Sequence, residues 1–177
     1  MTAEYDAIVY DLDGTLVELD VDWAAVADDV AATLRAHDVT VDGADLWGML
    51  TLADETGHRP VVEDVIAEYE REGARASVRL ALADELPLDV PVGVCSLNSE
   101  RACRIALEVH GIDGHVDALV GRDSVATEKP DPEPLLATVE SLSVAPERTL
   151  FIGDSERDEE TANRAGTAFQ YVRARLA

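Results

Sequence analysis

Four short stretches place carboxylates, one lysine and small polar side chains where apolar runs end. The first is Asp11-Leu12-Asp13-Gly14-Thr15-Leu16, directly after the run Ala7 to Tyr10. Two carboxylates at the end of a buried strand sit at the edge where open parallel α/β sheets bind ligands, and Gly14 permits a tight turn behind them. An isolated Asp-Gly pair would mean only that the strand stops. Ser96 and Asn98 follow the run Val92 to Cys95, where a hydroxyl would reach a phosphoryl oxygen; taken alone, both are also ordinary turn and cap residues. Lys129 stands in Glu-Lys-Pro-Asp-Pro after a third run, Ala118 to Val120, and is the single lysine of the chain. Against that background a lysine at this sheet edge is poorly explained as a chance surface residue.

The fourth stretch, Gly153-Asp154-Ser155-Glu156-Arg157-Asp158, follows Thr149 to Ile152. Asp154 is expected at a strand end, and Asp158, four residues on, falls on the first turn of the next helix facing the same side. Carboxylates brought to one point repel each other and require a cation. An oxygen donor set with no His or Cys placed to join it suits Mg²⁺ better than Zn²⁺. His37, His58, His110 and His115 are scattered.

The elements that must position these residues follow from periodicity. Runs at Ala7 to Tyr10, Val92 to Cys95, Ala118 to Val120, Thr149 to Ile152 and Ala168 to Val172 predict five buried strands. Glu100 to His110 and Pro134 to Ser141 carry apolar residues at helical spacing. Strands alternating with helices imply a parallel sheet. Val17 to Pro91 breaks the alternation. It shows no convincing strand and three helical stripes: Trp23, Val26, Val30 and Leu34; Leu46, Met49, Leu50 and Ala53; Val62, Val65, Ile66 and Tyr69. Asp22, Asp42 and Glu63 are expected near the helix starts, with turns at Asp42-Gly43 and Gly57 to Pro60.

Composition narrows the partners. The 177 residues carry 14 Lys and Arg against 37 Asp and Glu, a formal charge of 14 − 37 = −23, while 47% are hydrophobic. Such a surface repels nucleic acid and anionic lipid, yet the apolar content is that of a folded core. No apolar run approaches the ~20 residues of a membrane span, and Met1 to Ala7 lacks the pattern of a signal peptide. Cys95 and Cys103 have no metal spacing and are too few for a disulfide scaffold, so a reducing cytoplasm is expected. Scarce lysine with abundant carboxylate resembles the composition of haloarchaeal proteins.

The four motifs, in this order and with Ala162-Asn163-Arg164-Ala165-Gly166 downstream of the fourth, resemble those of the haloacid dehalogenase-like superfamily, and specifically its phosphoglycolate phosphatase-like members. The resemblance covers the chain outside the insertion. It implies an α/β fold: a three-layer Rossmann-like core of residues 1–16 and 92–177, its parallel sheet in the order 5-4-1-2-3, with residues 17–91 as an α-helical cap. Leu16 to Asp20 and Leu86 to Pro91 would be its hinge segments.

Carried over, the resemblance makes Asp11 the nucleophile and Asp13 the acid/base, with Ser96 and Lys129 binding the phosphoryl group. Asp11, the backbone carbonyl of Asp13, and Asp154 would hold Mg²⁺, and Asp158 would act through water or orient Lys129. The family's commonest pattern has Asn immediately after the hydroxyl residue, whereas here Leu97 intervenes before Asn98.

Halide leaves without a proton, and dehalogenases of the family lack a carboxylate two residues after the nucleophile. Asp13 therefore favours a phosphatase. The expected function is Mg²⁺-dependent hydrolysis of a small phosphorylated metabolite, phosphoglycolate-like, through an aspartyl phosphate, by a monomer or homodimer. A sugar phosphomutase and a catalytically silent binding or regulatory protein are the alternatives. Arg59, Arg71, Arg75 and Arg79 are the insertion's candidates for a second anionic group of the substrate, unless they serve as surface ion pairs with Glu68, Glu70 or Glu72.

Overall fold

A computed structural model describes residues 5–177; Met1 to Glu4, on which the expectation about a leader partly rests, lie outside the described residues. In chain order the elements are β1 (Ala7–Tyr10), β2 (Val17–Glu18), α1 (Trp23–Ala36), α2 (Leu46–Thr56), α3 (Arg59–Arg75), β3 (Val78–Arg79), β4 (Val92–Cys95) and α4 (Glu100–Val109). There follow β5 (Ala118–Val120), α5 (Glu133–Ser141), β6 (Thr149–Gly153), α6 (Glu156–Ala165), β7 (Ala168–Tyr171) and the short α7 (Val172–Arg175).

Five strands form one sheet in the order β5-β4-β1-β6-β7, with every neighbouring pair parallel. β2 and β3 lie outside it. Counting only the five sheet strands, the order is 3-2-1-4-5, which is the expected succession met from the other edge. β1 is central, in register with β4 through Ile8 and Val92 and with β6 through Ile8 and Leu150.

Because side chains alternate along a strand, β1 feeds two cores. Ile8 and Tyr10 join Val92, Val94, Leu150 and Ile152 under Ala102, Cys103 and Ala106 of α4. Ala7 and Val9 join Cys95 and Phe151 beneath Leu135 and Val139 of α5 and Ala162 of α6. Helices on both faces give three layers, and every ligand-capable strand end points to one edge.

The insertion has its own apolar cluster, in which Val26, Val30 and Leu34 of α1 meet Met49, Leu50 and Ala53 of α2 and Val62 and Ile66 of α3. Three sequence expectations are corrected here. The insertion does contain strands: β2 and β3 pair antiparallel, Val17 with Arg79 and Glu18 with Val78, at the point where the chain leaves and re-enters the core. Asp22 caps α1, accepting from the N–H groups of Ala24 and Ala25, but α2 is capped by Asp45 rather than Asp42, and α3 begins after His58, well before Glu63. Trp23 does not share the buried stripe of α1. It is 42% exposed, because the first turn of α1 projects past the insertion's core into the cleft above the sheet edge.

Candidate active site

The N–H of Asp11 still bonds the Ile152 carbonyl at 2.8 Å, so this residue leaves β1 at the carboxyl edge of the sheet with its side chain buried. The chain then turns at once: Thr15 and Leu16 N–H both donate to the Leu12 carbonyl, and Gly14 has φ of 80°. A Cβ at Gly14 would collide with the carboxylate of Asp154 as well as meet the left-handed penalty, so glycine is required twice over. Asp13 is half-buried, and its Oδ1 accepts from Leu19 N–H at 2.8 Å, which aims the side chain.

Lys129 is the centre of the charge arrangement. Its Nζ donates to Asp11 Oδ1 at 2.9 Å, to Asp158 Oδ1 at 2.6 Å and to the Cys95 carbonyl at 3.2 Å, and it is buried. Asp158 is fixed in turn by a capping box at the start of α6. Its Oδ2 accepts from the Ser155 hydroxyl at 2.6 Å, while Ser155 Oγ accepts from the Asp158 N–H. A Cβ on Gly153 would run into the Asp158 side chain, so the strand end must be bare for this approach.

Burial alone would depress the Lys129 ammonium, but the charges of Asp11 and Asp158 outweigh it and hold the group above its usual value. One cation shared between two buried carboxylates leaves a negative charge over. Asp11 is accordingly pushed above the ordinary carboxylate range, first by burial and then by Asp158, against the pull of Lys129.

Asp11, Asp154 and Asp158 each offer an oxygen within 4.8 Å of the others. Asp154 is open to solvent and has no cation partner among the described residues. Its carboxyl is raised by burial and by Asp158; that of Asp13 is raised by burial, against the Leu19 N–H, and further by Asp154, Glu18 and Glu70. An all-oxygen set carrying uncompensated negative charge fits a hard divalent cation such as Mg²⁺. Since Asp158 has its oxygens on Lys129 and Ser155, Asp11 and Asp154 are the carboxylates placed to meet one. No histidine belongs to the cluster: His37 packs on His58, and His110 bonds Ser77.

Ser96 is buried, and its hydroxyl is turned inward, donating to Asn98 Oδ1 and accepting from Asn98 N–H, both at 3.1 Å. Asn98, not Ser96, lines the cavity. Behind Asn98 lies a group that the motifs do not announce. Glu70 of α3 is fully buried and accepts from Arg122 Nη1 and Nη2 at 2.5 and 3.0 Å, from Ser99 N–H at 2.9 Å and from Asn98 Nδ2 at 3.3 Å. Arg122, two residues past β5, also donates to Leu97 O and to Glu63 of α3. This paired-donor geometry joins the insertion to the core. Its sequence signal was the spacing of Glu70 from Val62 and Ile66, which puts a carboxylate on the helix's apolar face.

A cavity of about 360 Å³ opens between insertion and sheet edge, reaching Asp11, Asp13, Lys129 and Asp154 at its floor. Its roof is apolar, built from Trp23, Leu46, Trp47, Leu50 and Ile66. None of Arg59, Arg71, Arg75 or Arg79 lines it. Arg59 pairs with Glu63, Asp54 and Glu128, Arg71 with Glu68, and Arg79 with Asp84. The cation missed in the sequence is Arg157 of α6, whose guanidinium lies 4.5 Å from the Trp47 ring centroid across the cleft.

A family model described as a haloacid dehalogenase-like hydrolase matches residues 8–172. The phosphoglycolate phosphatase of Rhodospirillum rubrum is 34% identical over 186 positions, covering 90% of this chain and 76% of the relative. That of Aquifex aeolicus is 28% identical and covers 90% and 81%. Among solved structures, CbbY from Rhodobacter sphaeroides in complex with phosphate shares the fold at a TM-score of 0.67 and 19% identity, over 94% of this chain and 85% of that one.

Proposed function

The chain belongs to the haloacid dehalogenase-like hydrolases and is a phosphatase, and from that premise we propose that Asp11, Asp13, Lys129 and Asp154 hydrolyse a small phosphomonoester with Mg²⁺ as cofactor. The observation that carries the assignment is Lys129 bridging Asp11 and Asp158 at 2.9 and 2.6 Å beside Asp13 and Asp154. Asp11 attacks phosphorus, an Asp11 oxygen–phosphorus bond forms, and the ester oxygen leaves with a proton from Asp13. In the second half-reaction water attacks the aspartyl phosphate, Asp13 takes its proton, and Asp11 is released with inorganic phosphate.

The raised carboxyl of Asp13 suits an acid that must hold a proton for the leaving oxygen. Lys129 supplies positive charge to Asp11 and to the phosphoryl oxygens, so that an anion can approach an anion. Mg²⁺, held by Asp11, Asp154 and the backbone carbonyl of Asp13, would add Lewis-acid charge at the same phosphoryl group. Asp158 orients Lys129. Ser96, expected as a phosphoryl ligand, supports the site through Asn98 in this arrangement.

The names of the relatives make 2-phosphoglycolate the first substrate to try. Residues 17–91 serve as the cap over residues 1–16 and 92–177, a division supported by the insertion's separate apolar cluster and by the paired strands at its entry and exit. A cytoplasmic location is supported by buried, unbridged Cys95 and Cys103, and no described helix is long and apolar enough to cross a membrane. The charge of −23 and the single lysine support operation in concentrated salt. Neither the phosphomutase nor the silent reading is favoured, since the acidic set is complete and the relatives are phosphatases.

Phosphate release is to be measured from a panel of phosphomonoesters in concentrated KCl with Mg²⁺. Activity is expected with Mg²⁺, none with EDTA and none in Asp11→Asn. Full activity in Asp11→Asn would remove the nucleophile from the scheme. Transfer of phosphate between sugar positions without release would replace hydrolysis by mutase chemistry.

A further inference from the structure

The cavity contains three cations, and two are already neutralised. Lys129 is spent on Asp11 and Asp158, and Arg122 has its Nε on Glu63 and both terminal nitrogens on Glu70. Arg157 differs from both. No carboxylate among the described residues forms an ion pair with it, although Asp154 and Asp158 lie close in sequence; the one partner of its guanidinium among those residues is the face of the Trp47 indole. A guanidinium that rests over an aromatic ring and holds no carboxylate keeps N–H donors available, and the guanidinium fork matches the two oxygens of a carboxylate.

The insertion cannot supply this cation, because the arginines it carries are paired elsewhere or do not line the cavity. Its contribution is the apolar roof and Glu70, which offer an anion no positive charge. Trp47 in turn holds the long Arg157 side chain across the cleft, lowering the ordering cost of a contact with the substrate.

We infer that Arg157, stacked on Trp47, is the specificity-determining residue of this phosphatase and that it takes a carboxylate carried by the alcohol part of the substrate, opposite the phosphoryl group at Asp11. The assignment adds to the proposed 2-phosphoglycolate-like substrate the residue that would read its carboxylate. The inference rests on the phosphatase reading, and the two fail separately.

The experiment measures kcat/KM for 2-phosphoglycolate and for phenyl phosphate, an ester without a carboxylate, in the Mg²⁺-loaded wild type, Arg157→Ala and Arg157→Lys. The wild type is expected to prefer the carboxylate ester. Arg157→Ala should lower that preference about 10-fold or more, mainly by raising KM for 2-phosphoglycolate, the scale of one lost charge-assisted contact. Arg157→Lys should recover part of it by restoring the charge without the fork.

If Arg157 only props the indole, both substrates lose equally in Arg157→Ala and Trp47→Leu reproduces the pattern; that outcome overturns the assignment. A wild type that hydrolyses neither ester overturns the phosphatase reading instead. Arg157→Gln carries the same comparison if circular dichroism shows the alanine variant to be unfolded.

Discussion

Glu70 of the insertion and Arg122 of the core meet in a two-pronged ion pair, at 2.5 and 3.0 Å, with Glu70 wholly removed from solvent. The partners are not equivalent, because Arg122 also holds Glu63 and Leu97 O, whereas Glu70 has only neutral donors besides Arg122. Breaking a buried pair leaves the survivor's charge uncompensated, at a cost of about 3–5 kcal/mol. Arg122→Met is therefore expected to approach that cost and Glu70→Gln to fall short of it, with Glu70→Gln/Arg122→Met milder than Arg122→Met alone. Urea unfolding of the three variants gives the order, and a Glu70→Gln chain less stable than Arg122→Met would contradict it.

Lys129 and Asp11 should separate stability from turnover. Lys129→Met strands two buried carboxylates, so in EDTA it is expected to lose about 3–5 kcal/mol together with all activity. Asp11→Asn also loses activity, but it removes one of two negative charges competing for a single ammonium, and its stability in EDTA should equal or exceed that of the wild type. Phosphate release and thermal melts in EDTA test the contrast, which fails if both variants melt early.

Asp154 and Asp158 belong to the same acidic cluster yet should answer Mg²⁺ differently. Ligand binding to the folded state alone adds about 2.7 kcal/mol at a hundredfold excess over Kd. Asp154, open to solvent and paired with no cation among the described residues, is expected to be needed for that gain. Asp158→Asn should retain most of it, because this carboxylate serves Lys129 and Ser155. Melting temperature against Mg²⁺ concentration distinguishes them; equal loss of the shift would make Asp158 a direct ligand.

Alkaline pH should weaken the fold through groups kept neutral by burial. The Tyr10 phenol, which donates to Glu85 at 3.1 Å, is held above its usual value by burial and then by the Glu85 charge; burial likewise pushes the Cys95 thiol up to about 12. The folded chain keeps protons that the unfolded chain gives up. The stabilisation is complete below the unfolded thiol's value of about 8.5 and is lost as pH rises toward and beyond the folded values. Tyr10→Phe should cost about 1 kcal/mol at neutral pH, as one lost hydrogen bond does, and should flatten the decline above pH 10. Urea midpoints across this range test the sign, since a stability that rises with pH there would be the wrong way round.

Much of the site was legible before any coordinates. Asp11 and Lys129 are 118 residues apart, yet each follows a strand, and a parallel sheet delivers all such positions to one edge. All five sheet strands begin and end within one residue of the apolar runs that predicted them, and Ala7 to Tyr10, Val92 to Cys95 and Ala118 to Val120 match at both ends.

What local pattern determined was strand, helix and motif, because burial of alternating or helically spaced side chains is settled within a few residues. What only the tertiary structure decided was how the insertion sits on the sheet edge. That docking joins Glu70 to Arg122, turns Trp23 from a core residue into a cleft residue, brings Arg59 to Glu128 and Arg79 to the His110 carbonyl, and lays Arg157 on Trp47. Each of these contacts depends on the relative placement of two bodies that pack their own cores separately, and charges at helical spacing look alike whether they face water or another domain.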